Sequence, residues 1–142
     1  LWIVLDNLVF NALKFAREGT TVVVSISRRL DRGPAEAVNR VLPDETDIFR
    51  NANLIVPDAS AGFLEVSVTN EGRPVPVDLR ERLFTRYQYA ERTAKGKKST
   101  GLGLSIVSQC CRHLGGTVWL DAATDHSTRI AFTLPLAVIK AR

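Results

Sequence analysis

The chain has 142 residues, 45% of them hydrophobic and 24% charged, the balance of a soluble globular protein. It is long enough to bury a core and is expected to form one domain over residues 1–142. The net charge of +4 admits a nucleic-acid partner, but Arg86, Arg92, Lys95, Lys97 and Lys98 crowd one segment, which favours a small phosphate ligand instead.

The start, Leu1-Trp2-Ile3-Val4-Leu5, lacks a basic region and runs straight into Asp6-Asn7, so no signal peptide is expected. A start without Met suggests a piece of a longer protein, and no apolar run is long enough to cross a bilayer. Any membrane segment is therefore expected outside the chain.

Residues 1–17 form a nearly all-round apolar pattern, which predicts a buried helix that stops before Gly19. Thr20 to Ser27 alternates, with Val22, Val24 and Ile26 on one side, and predicts a strand. Residues 29–62 are far too long for an ordinary strand connection. They read either as a tolerated surface insertion or as a docking element, with helical turns at Pro34–Val38 and Asp47–Phe49. Phe63 to Thr69 is the next predicted strand, broken off by Pro74 and Pro76. A short helix is expected from Asp78, as N-cap, to Phe84. A polar, basic and mobile stretch is expected from Arg86 to Thr100. A helix over Gly101–Leu114 then ends at Gly115-Gly116, and strands follow at Thr117–Leu120 and Arg129–Leu134. Cys110 and Cys111 are neighbours on a helix, where a disulfide would be strained, so they read as reduced structural residues.

Three segments carry chemistry. Asn7, Asn11 and Lys14 fall at i, i+4 and i+7 on the first helix, with Phe15 beside them. Buried amides need partners, which are either neighbouring backbone or a cation and a phosphate. Asn70-Glu71-Gly72-Arg73-Pro74-Val75-Pro76 follows a strand directly; it reads as an ordinary turn or as a close backbone approach at Gly72. Ser99-Thr100-Gly101-Leu102-Gly103-Leu104 opens a helix, where free backbone N–H groups can meet an anion. It is not a P-loop: around Gly96-Lys97, Glu91 replaces the first glycine and Lys98 the hydroxyl residue.

Taken in order, these segments resemble the catalytic, ATP-binding domain of sensor histidine kinases, within the GHKL ATPase superfamily. Asn7–Phe15 is similar to the N box, Asn70–Pro76 to the G1 box, Leu83–Tyr87 to the F box and Ser99–Leu104 to the G2 box. Gly115-Gly116 and Leu134-Pro135-Leu136 match the closing pattern. The resemblance covers all but the insertion. It implies a two-layer α/β (α+β) sandwich, with a mixed, mostly antiparallel sheet, helices on one face and an ATP lid over 88–100. It further implies that Asn11 ligates Mg²⁺, that Asn7 and Lys14 act at the phosphates, and that Phe15 packs near the nucleotide. Asn70 would meet the adenine amino group, with Gly72 and Val75 around it. Phe84 and Tyr87 would anchor the lid. Thr100, Gly101, Leu102, Gly103 and Leu104 would line the phosphate site.

Three positions depart from the pattern: Asn70 stands in place of the usual Asp, and Pro74 and Ser99 replace usual glycines. Hydrolytic members carry Glu where this chain has Asn7, and an amide is no general base. The resemblance thus implies transfer of the γ-phosphoryl group to a histidine outside the chain, since neither His113 nor His126 lies in a phosphoacceptor pattern. The implied partners are the dimerisation and phosphoacceptor helices of the same protein and a response regulator. The implied location is the cytoplasm, as the soluble part of a membrane-bound sensor. A degenerate module that acts by partner binding, without ATP turnover, is the alternative.

Overall fold

Glycine, proline and polar turns divide the chain into short elements, and period-2 apolar alternation makes four of them strands. The structure, a computed structural model, describes residues 1–38, 59–86 and 101–136. Helix α1 spans Trp2–Phe15 and strand β1 spans Val23–Arg29. A single helical turn, α2, follows at Ala35–Val38, and a 3-10 turn at Ala59–Ala61 leads into β2, Phe63–Glu71. The short α3 covers Val77–Arg80, α4 covers Gly103–His113, and β3 (Thr117–Ala123) and β4 (Ser127–Pro135) complete the order. The turn expected at Asp47–Phe49 and the lid expected over 88–100 lie outside the described residues.

The four strands form one sheet in the order β1-β2-β4-β3. Each neighbouring pair is antiparallel, so the expected mixed sheet is wholly antiparallel among the described residues. Hairpin-like return of β4 alongside both β2 and β3 accounts for this, because no parallel crossover is needed to place it centrally.

Two layers follow from the alternation of side chains. Val66 and Val68 of β2, Ile130 and Phe132 of β4 and Val118 of β3 face the helices, and together with Val4, Leu8 and Ala12 of α1 and Val107, Cys110 and Cys111 of α4 they make the core. Leu83 and Phe84, just after α3, close one end of it. The two cysteines are free and buried. Desolvation pushes the thiols of both Cys110 and Cys111 up, far more strongly for Cys111.

Two expectations change. Helix α1 is not buried all round: Val4, Leu8 and Ala12 are covered, yet Trp2 is 79% and Phe10 69% exposed. A helix in the outer layer of a two-layer sandwich has only one stripe against the sheet. Likewise Val24 and Ile26 do lie on the helix-facing side, in register with Val68 and Val66, but on an edge strand. Helix α1 packs chiefly over β2, so Ile26 on the edge strand stays 68% exposed. Helix α3 is also shorter than expected, with Pro76 rather than Asp78 at its N-cap; Asp78 sits in its first turn.

The opposite face of the sheet is clothed by the start of the long insertion. Arg32 Nε donates to Gly115 O (2.8 Å), the Thr117 hydroxyl to Ala37 O (3.3 Å), and the Thr133 hydroxyl donates to Arg32 O. Beneath this strap, Glu65 accepts from Arg29 (2.8 Å) and Arg129 (3.4 Å), and Asp121 accepts from Trp119 Nε1 (3.0 Å). The Arg29 guanidinium, held chiefly by Glu65 and also by Asp31, lies 5.4 Å from the Trp119 ring centre and its pKa is raised further. The described part of the insertion is therefore a cover for the outer face.

Truncation of the central apolar residue tests the core. Phe132→Ala should cost about 3–5 kcal/mol in urea unfolding, because Phe132 is fully buried. The thiols give a second check: Ellman's reagent should label neither cysteine in the native protein and both in denaturant. Since an unfolded thiol ionises near pH ~8.5 and the buried Cys111 does not, stability should fall as pH rises through that range.

Candidate functional site

Helix α1 presents two stripes. Val4, Leu8 and Ala12 point into the core, and Asn7 and Asn11 occupy the adjoining, half-buried stripe. Asn7 Nδ2 donates to Ile3 O at 2.7 Å, one turn back on the same helix. Its Oδ1 is thereby turned toward the first residue of α4: a Cβ built on Gly103 would lie 2.8 Å from Asn7 Oδ1. Glycine is what lets the opening of α4 approach the α1 amide this closely.

Among the described residues, no side chain caps the N-terminus of α4. Gly101 adopts φ +69°, a left-handed turn that delivers the chain into the helix, and Leu102 caps it without any side-chain hydrogen bond. The Ser105 hydroxyl donates back to Leu102 O at 2.8 Å and does not cap the helix N–H groups. Helix amides without a capping side chain among the described residues, at the positive end of an eleven-residue helix, are of the kind that can receive an anion.

A cavity lies on the other side of the amide stripe. Asn11 and Phe15 of α1, Asn70 of β2 and Val75 of the following loop line it. Leu83, Leu104 at the start of α4, and Thr128 and Ile130 of β4 complete the wall, with Arg73 at the rim. Asn70 and Thr128 are register partners across β2 and β4, so both project on the helix side of the sheet. Asn70 is only 5% exposed, and its Nδ2 has no hydrogen-bond partner among the described residues. An amide donor buried without an acceptor is costly unless a ligand supplies one. A second, open groove of about 470 Å³ flanks Asn7 and is lined also by Asp6, Val9, Phe10 and Leu13.

The residues singled out from sequence take different places. Asn11, Phe15, Asn70, Val75 and Leu104 meet in the cavity, and Asn7, Gly101, Leu102 and Gly103 meet at the opening of α4. The Lys14 ammonium lies 4.9 Å from the Phe15 ring centre, beside the cavity. Gly72 and Phe84 do not line it. Phe84 is a core residue. Gly72 seats the end of β2 on the end of α1: it bridges Ala16, and a Cβ there would fall 1.9 Å from Phe15 O. Tyr87 and Thr100 lie outside the described residues. Sequence reasoning missed Arg73, Leu83, Thr128 and Ile130. The alternation of β4 marks Thr128 as sharing a face with Ile130 and Phe132, but pairing with Asn70 appears only in the sheet register.

Amide oxygens of Asn7 and Asn11, with no cluster of three or more His, Cys, Asp or Glu among the described residues, suit a hard oxygen-preferring cation that shares phosphate and water ligands. Softer metals would ask for thiolate or imidazole.

Comparisons with known proteins identify the family and the fold. The family described as histidine kinase-, DNA gyrase B-, and HSP90-like ATPase matches residues 1–138. Sensor histidine kinase WalK of Bacillus subtilis is 31% identical over 133 residues, covering 93% of this chain and 17% of WalK. Histidine kinase CKI1 of Arabidopsis thaliana is 28% identical, covering 96% of this chain and 14% of CKI1. The chain thus spans less than a fifth of either relative. Among solved structures, the mycobacterial sensor histidine kinase MprB superposes with a TM-score of 0.63 at 23% identity, over 96% of this chain and 72% of that one. Full-length ShkA in complex with AMPPNP gives 0.62 at 24%, over 98% of this chain and 22% of ShkA. At these identities the two structures speak for the fold.

Gly72→Ala tests the seating of β2 on α1. The new Cβ would strike a helix carbonyl rather than a flexible side chain, so a loss of about 1–3 kcal/mol is expected in thermal or urea unfolding.

Proposed function

As the chain belongs to the histidine kinase-, DNA gyrase B-, and HSP90-like ATPase family over residues 1–138, we propose that it is the ATP-binding catalytic domain of a sensor histidine kinase. In this reading it binds Mg-ATP and transfers the γ-phosphoryl group to a histidine in another part of the same protein. The observation that carries it is the meeting of Asn11, Asn70 and Leu104 in one cavity beside the uncapped start of α4. The cleft is narrow, about 20 Å³ of free space, so a purine would have to part its walls. Its mix of apolar walls with Asn70, Asn11 and Thr128 suits the edge of a base, and the helix terminus at Gly103-Leu104 suits its phosphates.

The residues divide the work. Val75, Leu83, Leu104 and Ile130 supply the walls that exclude water from the base. Asn70 supplies the polar contact. The backbone N–H groups from Gly101 to Leu104 face the phosphates, with Asn7 Oδ1 against Gly103 fixing the approach of α1 to α4. Asn11 would hold Mg²⁺, which contributes neutralisation of the phosphate oxygens when bound. Lys14, resting on the Phe15 ring beside the cavity, would add a second positive charge from its flexible side chain toward the phosphates. Positioning and charge compensation then account for most of the rate, since phosphoryl transfer asks little covalent chemistry of the protein.

Asn7 decides between transfer and hydrolysis. Its Nδ2 is committed to Ile3 O, and an amide takes up no proton from water. Activation of water at that position is therefore absent, which favours transfer to a histidine supplied in place. The likeness to the histidine kinases WalK and CKI1 supports a reading in which this domain would work beside helices of the same protein that bear that histidine, with a response regulator downstream. The domain would face the cytoplasm. No observation favours the degenerate module.

Calorimetric titration with a non-hydrolysable ATP analogue tests the reading. Binding is expected to strengthen with Mg²⁺, and Asn11→Ala should remove most of that gain, roughly tenfold for the loss of one strong ligand contact. Absence of binding at millimolar nucleotide would overturn it.

A further inference from the structure

The buried amide at position 70 carries an inference about which purines the cavity accepts, and it rests on the nucleotide-binding reading above. Asn70 is 5% exposed on the helix-facing side of β2, and its Nδ2 donor has no partner among the described residues. The 6-amino group of adenine is itself a donor, so it cannot satisfy that N–H; it can only meet Oδ1. Nδ2 needs an acceptor, which adenine offers at N1 and which a 6-oxopurine offers at O6.

An amide differs here from a carboxylate. A carboxylate accepts only, so it pairs with a 6-amino group and repels a 6-oxo group. An amide carries one donor and one acceptor, and a half-turn about its Cβ–Cγ bond exchanges them. In one orientation Oδ1 accepts from N6–H and Nδ2 donates to N1, the edge pattern of adenine. In the other, Nδ2 donates to O6 and Oδ1 accepts from N1–H, the edge pattern of hypoxanthine. The neighbouring Thr128 hydroxyl, the register partner of Asn70 and 7% exposed, donates or accepts as needed and opposes neither orientation. Of the remaining lining, Phe15, Val75, Leu83, Leu104 and Ile130 are apolar and indifferent to the exchange. The Asn11 amide can likewise donate or accept, and Arg73 at the rim offers only donors, which a 6-oxo group accepts.

We propose that Asn70 makes this cavity accept 6-oxopurine nucleoside triphosphates alongside ATP. The substrate class is purine triphosphates at large, read at the six-position by a reversible amide.

The test is a paired titration of the chain with adenosine and inosine 5′-(β,γ-imido)triphosphates in excess Mg²⁺. Inosine is the chosen probe because it alters the 6-substituent without adding the 2-amino group of guanine. The wild-type chain should bind the two within about tenfold of each other, against the five- to 150-fold discrimination that a matched polar pair usually gives. Asn70→Asp should raise the preference for the adenosine analogue by at least about tenfold. A wild-type preference beyond tenfold overturns the proposal and leaves the nucleotide reading standing, as does an Asn70→Asp chain whose preference is unchanged. Failure of the adenosine and inosine analogues alike to bind overturns the nucleotide reading itself. Should Asn70→Asp not fold by circular dichroism, the wild-type pair of affinities decides alone.

Discussion

Two close approaches fix helix α1, and the site depends on both. At its C-terminal end the backbone of Gly72 lies so near Phe15 O that no side chain fits between them. At its second turn Asn7 Oδ1 lies against Gly103, the first residue of α4. With β2 pinned to one end and α4 to the other, the amide stripe of α1 has no freedom to roll. The residues it carries, Asn11 and Phe15, must then face Asn70 and Leu104 across the cavity. Backbone hydrogen bonds hold the first, Arg17 N–H to Glu71 O at 2.7 Å and Arg73 N–H to Phe15 O at 3.4 Å. Each approach is also a steric condition that the apolar packing of Val4, Leu8 and Ala12 against the sheet makes favourable to meet.

The sheet is finished differently on its two faces. The helix side buries a continuous apolar cluster, and there the site residues Asn70 and Thr128 are polar exceptions. The other side is polar, and Glu65 is buried between two arginines whose charges it balances. A buried carboxylate is tolerable only with such partners. The residues 30–38 that lie over Thr117, Thr133 and Trp119 help to exclude water from that network. The insertion thus begins as part of the fold, on the face away from the cavity.

The arrangement separates binding functions by the kind of force each needs. Recognition of a base asks for apolar contact and a few fixed polar atoms, and the strand ends and loop supply both. Recognition of phosphate asks for backbone donors with no competing cap, and α4 begins without one. In the proposed reading the amide stripe of α1 runs between the two, so one helix would set the distance from base to phosphate.

How much of this was legible in the chain varies with the range of the interactions involved. The spacing of Asn7, Asn11 and Lys14, the Gly-x-Gly at 101–103 and the alternation of β2 are local patterns, and they point to one site and to a two-layer fold. Their boundaries shifted by only a few residues, and Pro76 took the N-cap position expected for Asp78. Burial was less legible. The apolar pattern of α1 does not say that Trp2 and Phe10 remain exposed, because that depends on how many layers surround the helix. Nor does the alternation of β1 say that Ile26 sits uncovered on an edge. Thr128 and Ile130 join the cavity only through the register that sets β4 against β2, some sixty residues away. Sequence by itself determined the family, most of the elements and the placing of Asn7 and Asn11 on one stripe, since these follow from residue type and short-range spacing. Tertiary structure alone decided which side chains meet around Asn70, which strand lies at the edge and which face the insertion covers, because pairing across the sheet is set by the packing of the whole chain.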